Sequence, residues 1–464
     1  MQPKNTNELS ADSVAALETL LNEWIGSARW FTSDRNNPQV QIMHGYPLTA
    51  DTTSSTTLLI VRSGEQDYFV PVTLNTTDPQ LVQALAKYPA AVLGYLTVNG
   101  QNLMVTDSTE HPSGQLALLQ ACFGELATSG INGHPLRGST AALPTITNVQ
   151  KLRSEQSNTS IIYQFASADD AGSTGLIMKL FRLVYPGTNP DVQLQTALDQ
   201  AGTGTVPKQY SSASVTLGAA DDALQADLLV AQEFLTGAKD AWQVFLAELS
   251  TGGNSPQDPD AVFELGTATA DIHQALANSF PTQEVPAQEK SHLRHQWQLQ
   301  AEKVIAAAPK LAQYREQIVT IFDAALEVEW PRLQRVHGDY HLGQVLHVPG
   351  RGWVALDFEG EPLKPLAQRT QPSLALRDVA GMLRSFTYAA GAAELNGKPH
   401  LQAESWANRA TELFLAGYGA LSPAEDVLLQ ALMLDKAFYE VVYEATYRPR
   451  WLQIPVQSIA HMLD

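Results

Sequence analysis

The chain has 464 residues, more than one compact core accommodates, and it predicts two or three structural units. Forty-eight acidic against 29 basic residues give a formal charge of −19, which repels a nucleic-acid backbone and excludes that class of partner from expectation. The single cysteine, Cys122, permits no internal disulfide and no multi-cysteine metal site, and it reads as a small buried hydrophobe.

The opening MQPKNTNELSADSVAALETLL has no cationic flank before an apolar run, and no stretch is apolar enough to span a bilayer. A cytoplasmic protein with no membrane partner is expected. Residues 10–24 carry Val14, Leu17, Leu20, Leu21 and Trp24 at helical spacing, with Ser10 as N-cap. The runs TTLLIVRS and QDYFVPVT then predict an antiparallel sheet, so residues 1–90 read as a small α+β unit.

Residues 91–233 continue β-rich. IIYQF and LIMKLF form a predicted hairpin around a turn of Asp, Gly and Ser. Asn189-Pro190-Asp191 opens a helix through Leu198, and LQADLLVAQEFL is a strand ending near Phe234. From Trp242 the spacing turns helical, in AVFELGTATADIHQALA, HLRHQWQLQAEKVIAAA and EQIVTIFDAALEVEW. The fold class is therefore α+β and bilobal, with a β-rich N-terminal lobe, a mainly α-helical lobe over residues 234–464, and a cleft expected at the joint.

The segment RVHGDYHLGQVLHVPGRGWVALDFEGEP concentrates the chemistry. It places Asp339 five residues before Gln344, and Asp357 at the end of the apolar strand WVAL. This spacing resembles the protein-kinase pattern H-R-D-x-x-x-x-N followed by D-F-G, in which one Asp orients the attacking hydroxyl while an amide and a second Asp hold magnesium. Each residue type answers a need of phosphoryl transfer from ATP: Asp339 aligns the nucleophile, and Gln344 and Asp357 offer Mg2+ oxygen ligands. His337 is expected to brace the loop by hydrogen bonding and, with Glu359 in the place of the DFG glycine, to stand beside the acceptor. Taken singly, an Asp at a strand end caps a turn; the five matching positions His337, Asp339, Gln344, Asp357 and Phe358 together reverse that reading.

Lys179 lies on the predicted strand LIMKLF, as the lysine of V-A-I-K does, and is expected at the ATP phosphates. Its acidic partner is open, because the following helix offers Asp191 but then Gln193, which cannot form an ion pair. No G-x-G-x-x-G loop is present. The turn SEQSNTS takes that place, with Ser157, Asn158 and Thr159 supplying hydroxyl and backbone N–H donors to phosphate.

Over nearly its whole length the chain resembles the actinobacterial maltokinases, relatives of the aminoglycoside phosphotransferases. The resemblance rests on ARWF at 28–31, SEQSNTS at 154–160, GTNPDVQL at 187–194, RVHGDYHLGQVL at 335–346, LDFEGEP at 356–362, LRDVAGMLRSF, LDKAFYE and YRPRWLQIP. It implies an N-terminal cap subdomain and transfer of the γ-phosphate of ATP to the anomeric hydroxyl of maltose, for α-glucan (glycogen) synthesis. By that resemblance Asp339 is the base, Gln344 and Asp357 bind magnesium, Lys179 binds phosphates, and Gln232, Glu233 and Phe234 meet adenine. A complex with trehalose synthase is also implied. Sugar binding falls to Asp435, Lys436, Tyr439, Tyr443 and Glu444 at helical spacing; the alternative for that face is a helix packed by its tyrosines. Glucosamine, or an aminoglycoside, is the alternative acceptor.

Overall fold

The computed structural model describes residues 11–50, 54–76, 79–126, 130–136, 145–153, 157–169, 172–218, 223–251, 253–361 and 365–463. Ser10, expected as a helix cap, lies outside them, as do residues 154–156 of the SEQSNTS turn. Two compact units result: residues up to 196 together with 208–236, and residues 197–207 together with 237–464.

The first unit begins with α1 (Ala11–Trp24), whose periodic face buries Val14, Leu17, Leu21 and Trp24 against Leu59, Val61, Val70, Val72 and Val105. Those residues lie on β2 (Ser54–Ser63), β3 (Gln66–Thr76) and β5 (Gln101–Asp107) of a sheet that also holds β1 (Gln41–Ala50) and β4 (Val92–Val98), with α2 (Pro79–Leu85) between β3 and β4. Their order is β1-β2-β3-β5-β4. The sheet thus runs past residue 90, where the sequence reading ended it, because β5 pairs antiparallel with β3 from Leu103 to Asp107.

A second sheet follows α3 (Pro112–Cys122). It is built from β6 (Ile131–Pro135), β7 (Ile146–Lys151), β8 (Thr159–Phe165), β9 (Gly175–Leu180), β10 (Gln209–Leu217) and β11 (Leu224–Glu233), in the order β6-β10-β11-β9-β8-β7. β8 and β9 are the expected hairpin, in register from Thr159↔Leu180 to Gln164↔Gly175. The helix α4 (Pro190–Gln200) enters between β9 and β10. Cys122 is buried in the apolar cluster between α3 and this sheet, beside Ile161, Tyr163 and Met178. Arg182, also fully buried, joins the two sheets by donating to Thr159 Oγ1 at 2.8 Å and to the Phe69 carbonyl at 3.2 Å, with Asp107 Oδ2 at 3.5 Å.

The second unit is helical around a small sheet. β12 (Lys239–Asp240), β13 (Val345–Val348) and β14 (Gly352–Ala355) make that sheet. The helices are α5 (Ala241–Thr251), α6 (Pro259–Ser279), α7 (Ala287–Ala307), α8 (Arg315–Glu327), the short α9 (Leu366–Arg369), α10 (Leu376–Leu395), α11 (His400–Tyr418), α12 (Pro423–Tyr447) and α13 (Gln453–Leu463). Phe245, Trp353, Phe386 and Trp406 form an aromatic centre, with ring centroids 5.7 to 6.0 Å from Phe245. α6 and α11 cross so closely that a Cβ at Gly266 would meet the Phe414 carbonyl oxygen at 2.0 Å, and one at Gly417 the Phe263 carbonyl oxygen at 1.9 Å. That approach requires glycine on both helices. Among the described residues no helix is long and apolar enough to cross a membrane.

Candidate active site

The loop before β13 is held by a carboxylate from another element. Asp378, in the first turn of α10, accepts the backbone N–H of His337 at 2.7 Å and of Gly338 at 2.9 Å. His273 on α6 reaches the same carboxylate through Nε2 at 3.2 Å, while its Nδ1 lies 3.0 Å from the Tyr418 hydroxyl. Asp378 is buried, and burial alone would raise its pKa; the hydrogen bond and charge of His273, with the Gly338 N–H, hold it below the ordinary carboxylate range.

His337 donates from Nε2 to the Leu356 carbonyl at 2.7 Å, and its Nδ1 accepts the Asp339 N–H at 3.3 Å. Its ring packs on Phe358, 4.5 Å between centroids. His337 therefore sits buried between the Asp339 loop and the Asp357 turn, where it braces both. It does not stand in the cavity described below, contrary to the acceptor position expected of it, because both ring nitrogens are engaged by backbone. Gly338 and Gly360 have φ of +85° and +71°. A Cβ on Gly338 would lie 3.1 Å from the Gly360 Cα, so the two loops touch through their glycines.

Gln344 and Asp357 come together through the hairpin. β13 and β14 pair Val345 with Ala355, and the Leu356 N–H donates to the Gln344 carbonyl at 2.9 Å, which carries the ladder one step further. Asp357 follows in the left-handed region, φ +57°, a conformation that costs a residue with a Cβ of order 1 kcal/mol. An amide oxygen and a carboxylate on adjoining strand ends are a donor set suited to a hard divalent cation.

Asp339 opens onto a cavity of about 560 Å³ within the second unit. Lys436 on α12 places Nζ 3.7 Å from Asp339 Oδ1 and 3.9 Å from Glu361 Oε1. Asp435 faces Arg377 at 3.4 Å, and Tyr439 adds an aromatic edge one turn from Lys436. α7 adds Glu289, His292 and Lys303 to the lining. Acid, base and aromatic groups around such a volume suit a polyhydroxylated small molecule.

Other residues singled out in the sequence fall elsewhere. Tyr443 is stacked between Tyr439 and Tyr447, with centroids at 6.2 and 5.0 Å, and does not line the cavity. Glu444 is buried, its Oε1 accepts from the Tyr388 hydroxyl at 2.7 Å and from Arg448, and it does not line the cavity. Glu359 offers its carbonyl to Arg369 at 3.1 Å and lies outside the cavity lining. Helical spacing alone cannot tell which of two adjacent faces points inward.

In the first unit Lys179, on β9, pairs with Asp191 Oδ2 at 3.0 Å, both side chains buried. Gln195 donates to the other oxygen of Asp191 at 2.6 Å. The ion pair thus starts from the first turn of α4, not from the position of Gln193. Ser157 and Asn158 lie in the turn entering β8. The Thr159 side chain is buried, and its hydroxyl oxygen accepts from buried Arg182 at 2.8 Å. Gln232 and Glu233 end β11, and the Phe234 N–H donates to the Gly175 carbonyl at 3.1 Å.

Sequence reasoning missed Asp378, His273, Arg377, Glu361 and the α7 wall. Asp378 carried a signal: a carboxylate set among Leu, Val, Ala, Gly and Met in LRDVAGML reads as buried, and a buried carboxylate is a paired one.

The sequence profile of the phosphotransferase enzyme family matches residues 151–413, and that of the maltokinase N-terminal cap domain matches residues 24–110. The chain belongs to the phosphotransferase enzyme family. Two curated relatives are glucosamine kinases. That of Mycolicibacterium smegmatis is 26% identical over 51% of this chain and 63% of its own length, and that of Streptacidiphilus jiangxiensis is 26% identical over 71% and 76%. The match to the first thus spans less than two thirds of that protein. A solved glucosamine kinase in complex with glucosamine, ADP and inorganic phosphate shares the fold at a TM-score of 0.70, with 20% identity and full coverage of both chains.

Proposed function

We propose that the chain is an ATP-dependent sugar kinase that phosphorylates the anomeric hydroxyl of maltose to give maltose 1-phosphate. The observation that carries this reading is the cap-domain match over residues 24–110 in a chain whose phosphotransferase segment holds Asp339 at the wall of a polar cavity. In the reaction the acceptor oxygen forms a bond to the γ-phosphorus, the bond from that phosphorus to the β,γ-bridging oxygen breaks, and ADP leaves.

Asp339 orients the attacking hydroxyl and takes its proton as the new bond forms. Lys179, held by Asp191, is the cation for the nucleotide phosphates, and Ser157 and Asn158 are the candidates for covering them. Gln232, Glu233 and Phe234 are the candidates for the adenine side. Gln344 and Asp357 would hold Mg2+, which supplies positive charge for the phosphate oxygens. Lys436, Asp435 and Tyr439 are the proposed sugar contacts; Glu359 is retained only as a backbone position beside Asp357.

The same reading puts the enzyme in the cytoplasm, in α-glucan synthesis, with trehalose synthase as a partner; co-elution of the two proteins tests that last point. A second reading, glucosamine as acceptor, is favoured by the names of the two relatives. ADP release measured across maltose, glucosamine, glucose and an aminoglycoside decides between them. Maltose-dependent turnover with phosphate on the anomeric oxygen by NMR is the expected result; turnover with glucosamine alone would replace it.

A further inference from the structure

The polar groups of the cavity are not evenly available. Asp435 is matched by Arg377, and Asp378 by His273. The remaining acids beside the reacting position, Asp339 and Glu361, flank one ammonium, that of Lys436. Burial works against this charge, yet Asp339, Glu361 and Glu440 hold the Lys436 pKa above its ordinary value, so the group is a standing cation. Glu289, on α7, also lines the cavity.

We propose that Lys436 determines the charge class of the acceptor: it fills the cation position beside Asp339, so the cavity accepts a neutral sugar and turns away one with an ammonium group next to the reacting carbon. This rests on the reading of the cavity as the acceptor site. A sugar ammonium drawn toward Asp339 and Glu361 would meet Lys436 at short range, where the two cations repel and compete for the same pair of carboxylates. A hydroxyl at the same carbon meets no such cost, and it can accept a hydrogen bond from the lysine. Glucose and glucosamine differ in just this group.

The test measures dissociation constants of glucose and glucosamine by ligand-observed NMR, with the full chain, ADP and Mg2+ present. The wild type is compared with K436M, which keeps the aliphatic stem, and K436R, which keeps the charge. Wild type and K436R should bind glucosamine at least about tenfold more weakly than glucose, as expected for two close cations. In K436M the ratio should collapse or invert. Wild-type binding of glucosamine as tight as glucose, or a K436M ratio equal to that of the wild type, would overturn the proposal. A purely structural role would weaken both sugars together and leave the ratio in place. The acceptor reading fails separately: a protein that turns over no maltose but still prefers glucose to glucosamine sinks the maltose assignment alone. A maltose kinase whose K436M variant keeps the wild-type ratio does the reverse.

Discussion

Asp339 owes its position to a residue that touches it nowhere. Asp378 fixes the two peptide groups before it, through N–H contacts at 2.7 and 2.9 Å, and is itself held by His273. Two consequences belong at this scale. If Asp339 is the proton acceptor proposed above, replacing it by Asn removes that acceptor while keeping the shape, and turnover should fall by at least about a hundredfold with nucleotide affinity little changed, measured by steady-state kinetics and nucleotide titration. Asp378→Ala leaves two buried N–H groups without their acceptor and should cost about 3 kcal/mol of stability in denaturant unfolding. The milder Asp378→Asn, which still fills the space, separates folding from positioning: kcat should drop while KM for ATP stays near the wild-type value.

Two helices place polar groups of the candidate site in contrasting ways. α12 carries Asp435, Lys436 and Tyr439, and it starts from a capping box in which Ser422 accepts the Glu425 N–H at 3.2 Å and Glu425 accepts the Ser422 N–H at 2.9 Å. Ser422→Ala should therefore destabilise the protein by about 1 kcal/mol in urea unfolding without altering the sugar-binding ratio, since the cap lies about four turns from Lys436. α4 has the opposite design. Its first turn presents Asp191 to Lys179, with Asn189 accepting the Asp191 N–H at 2.9 Å, so the start of the helix and the ion pair are one structure. The helix itself is legible from Asn-Pro-Asp, because capping is local. Its ion-pairing residue is not, because that depends on where β9 runs beside it.

At the scale of the whole molecule each unit contains a buried carboxylate that must stay ionised. In the first unit, burial would raise the pKa of Asp107, but Lys151, Arg182 and the Thr109 hydrogen bonds lower it; in the second, Asp378 is lowered in the same way. A carboxylate whose folded pKa lies below its unfolded value contributes stability that is present above the unfolded value and is lost as pH falls through the folded one. Starting from the ordinary value of 3.8, both contributions should disappear as the pH is lowered further. Acid unfolding followed by circular dichroism should show the loss below about pH 4, and Asp107→Asn should flatten the dependence there. A variant as acid-sensitive as the wild type would remove Asp107 from this account.

By itself the sequence determined what repeats over short distances. α1, the β8–β9 hairpin, α4, β11 and the helices α6, α7 and α8 follow from periodicity and turn residues, and Asp339, Gln344 and Asp357 are candidates from spacing within one loop and hairpin. Only the tertiary structure decided which distant groups meet: Asp191 with Lys179, Asp378 with the N–H groups of His337 and Gly338, Lys436 with Asp339, and Glu444 with Tyr388. The reason is physical. Helical and strand periods specify which side of an element is apolar, but a charged side chain is assigned by the element packed against it, and that is settled when the cores close.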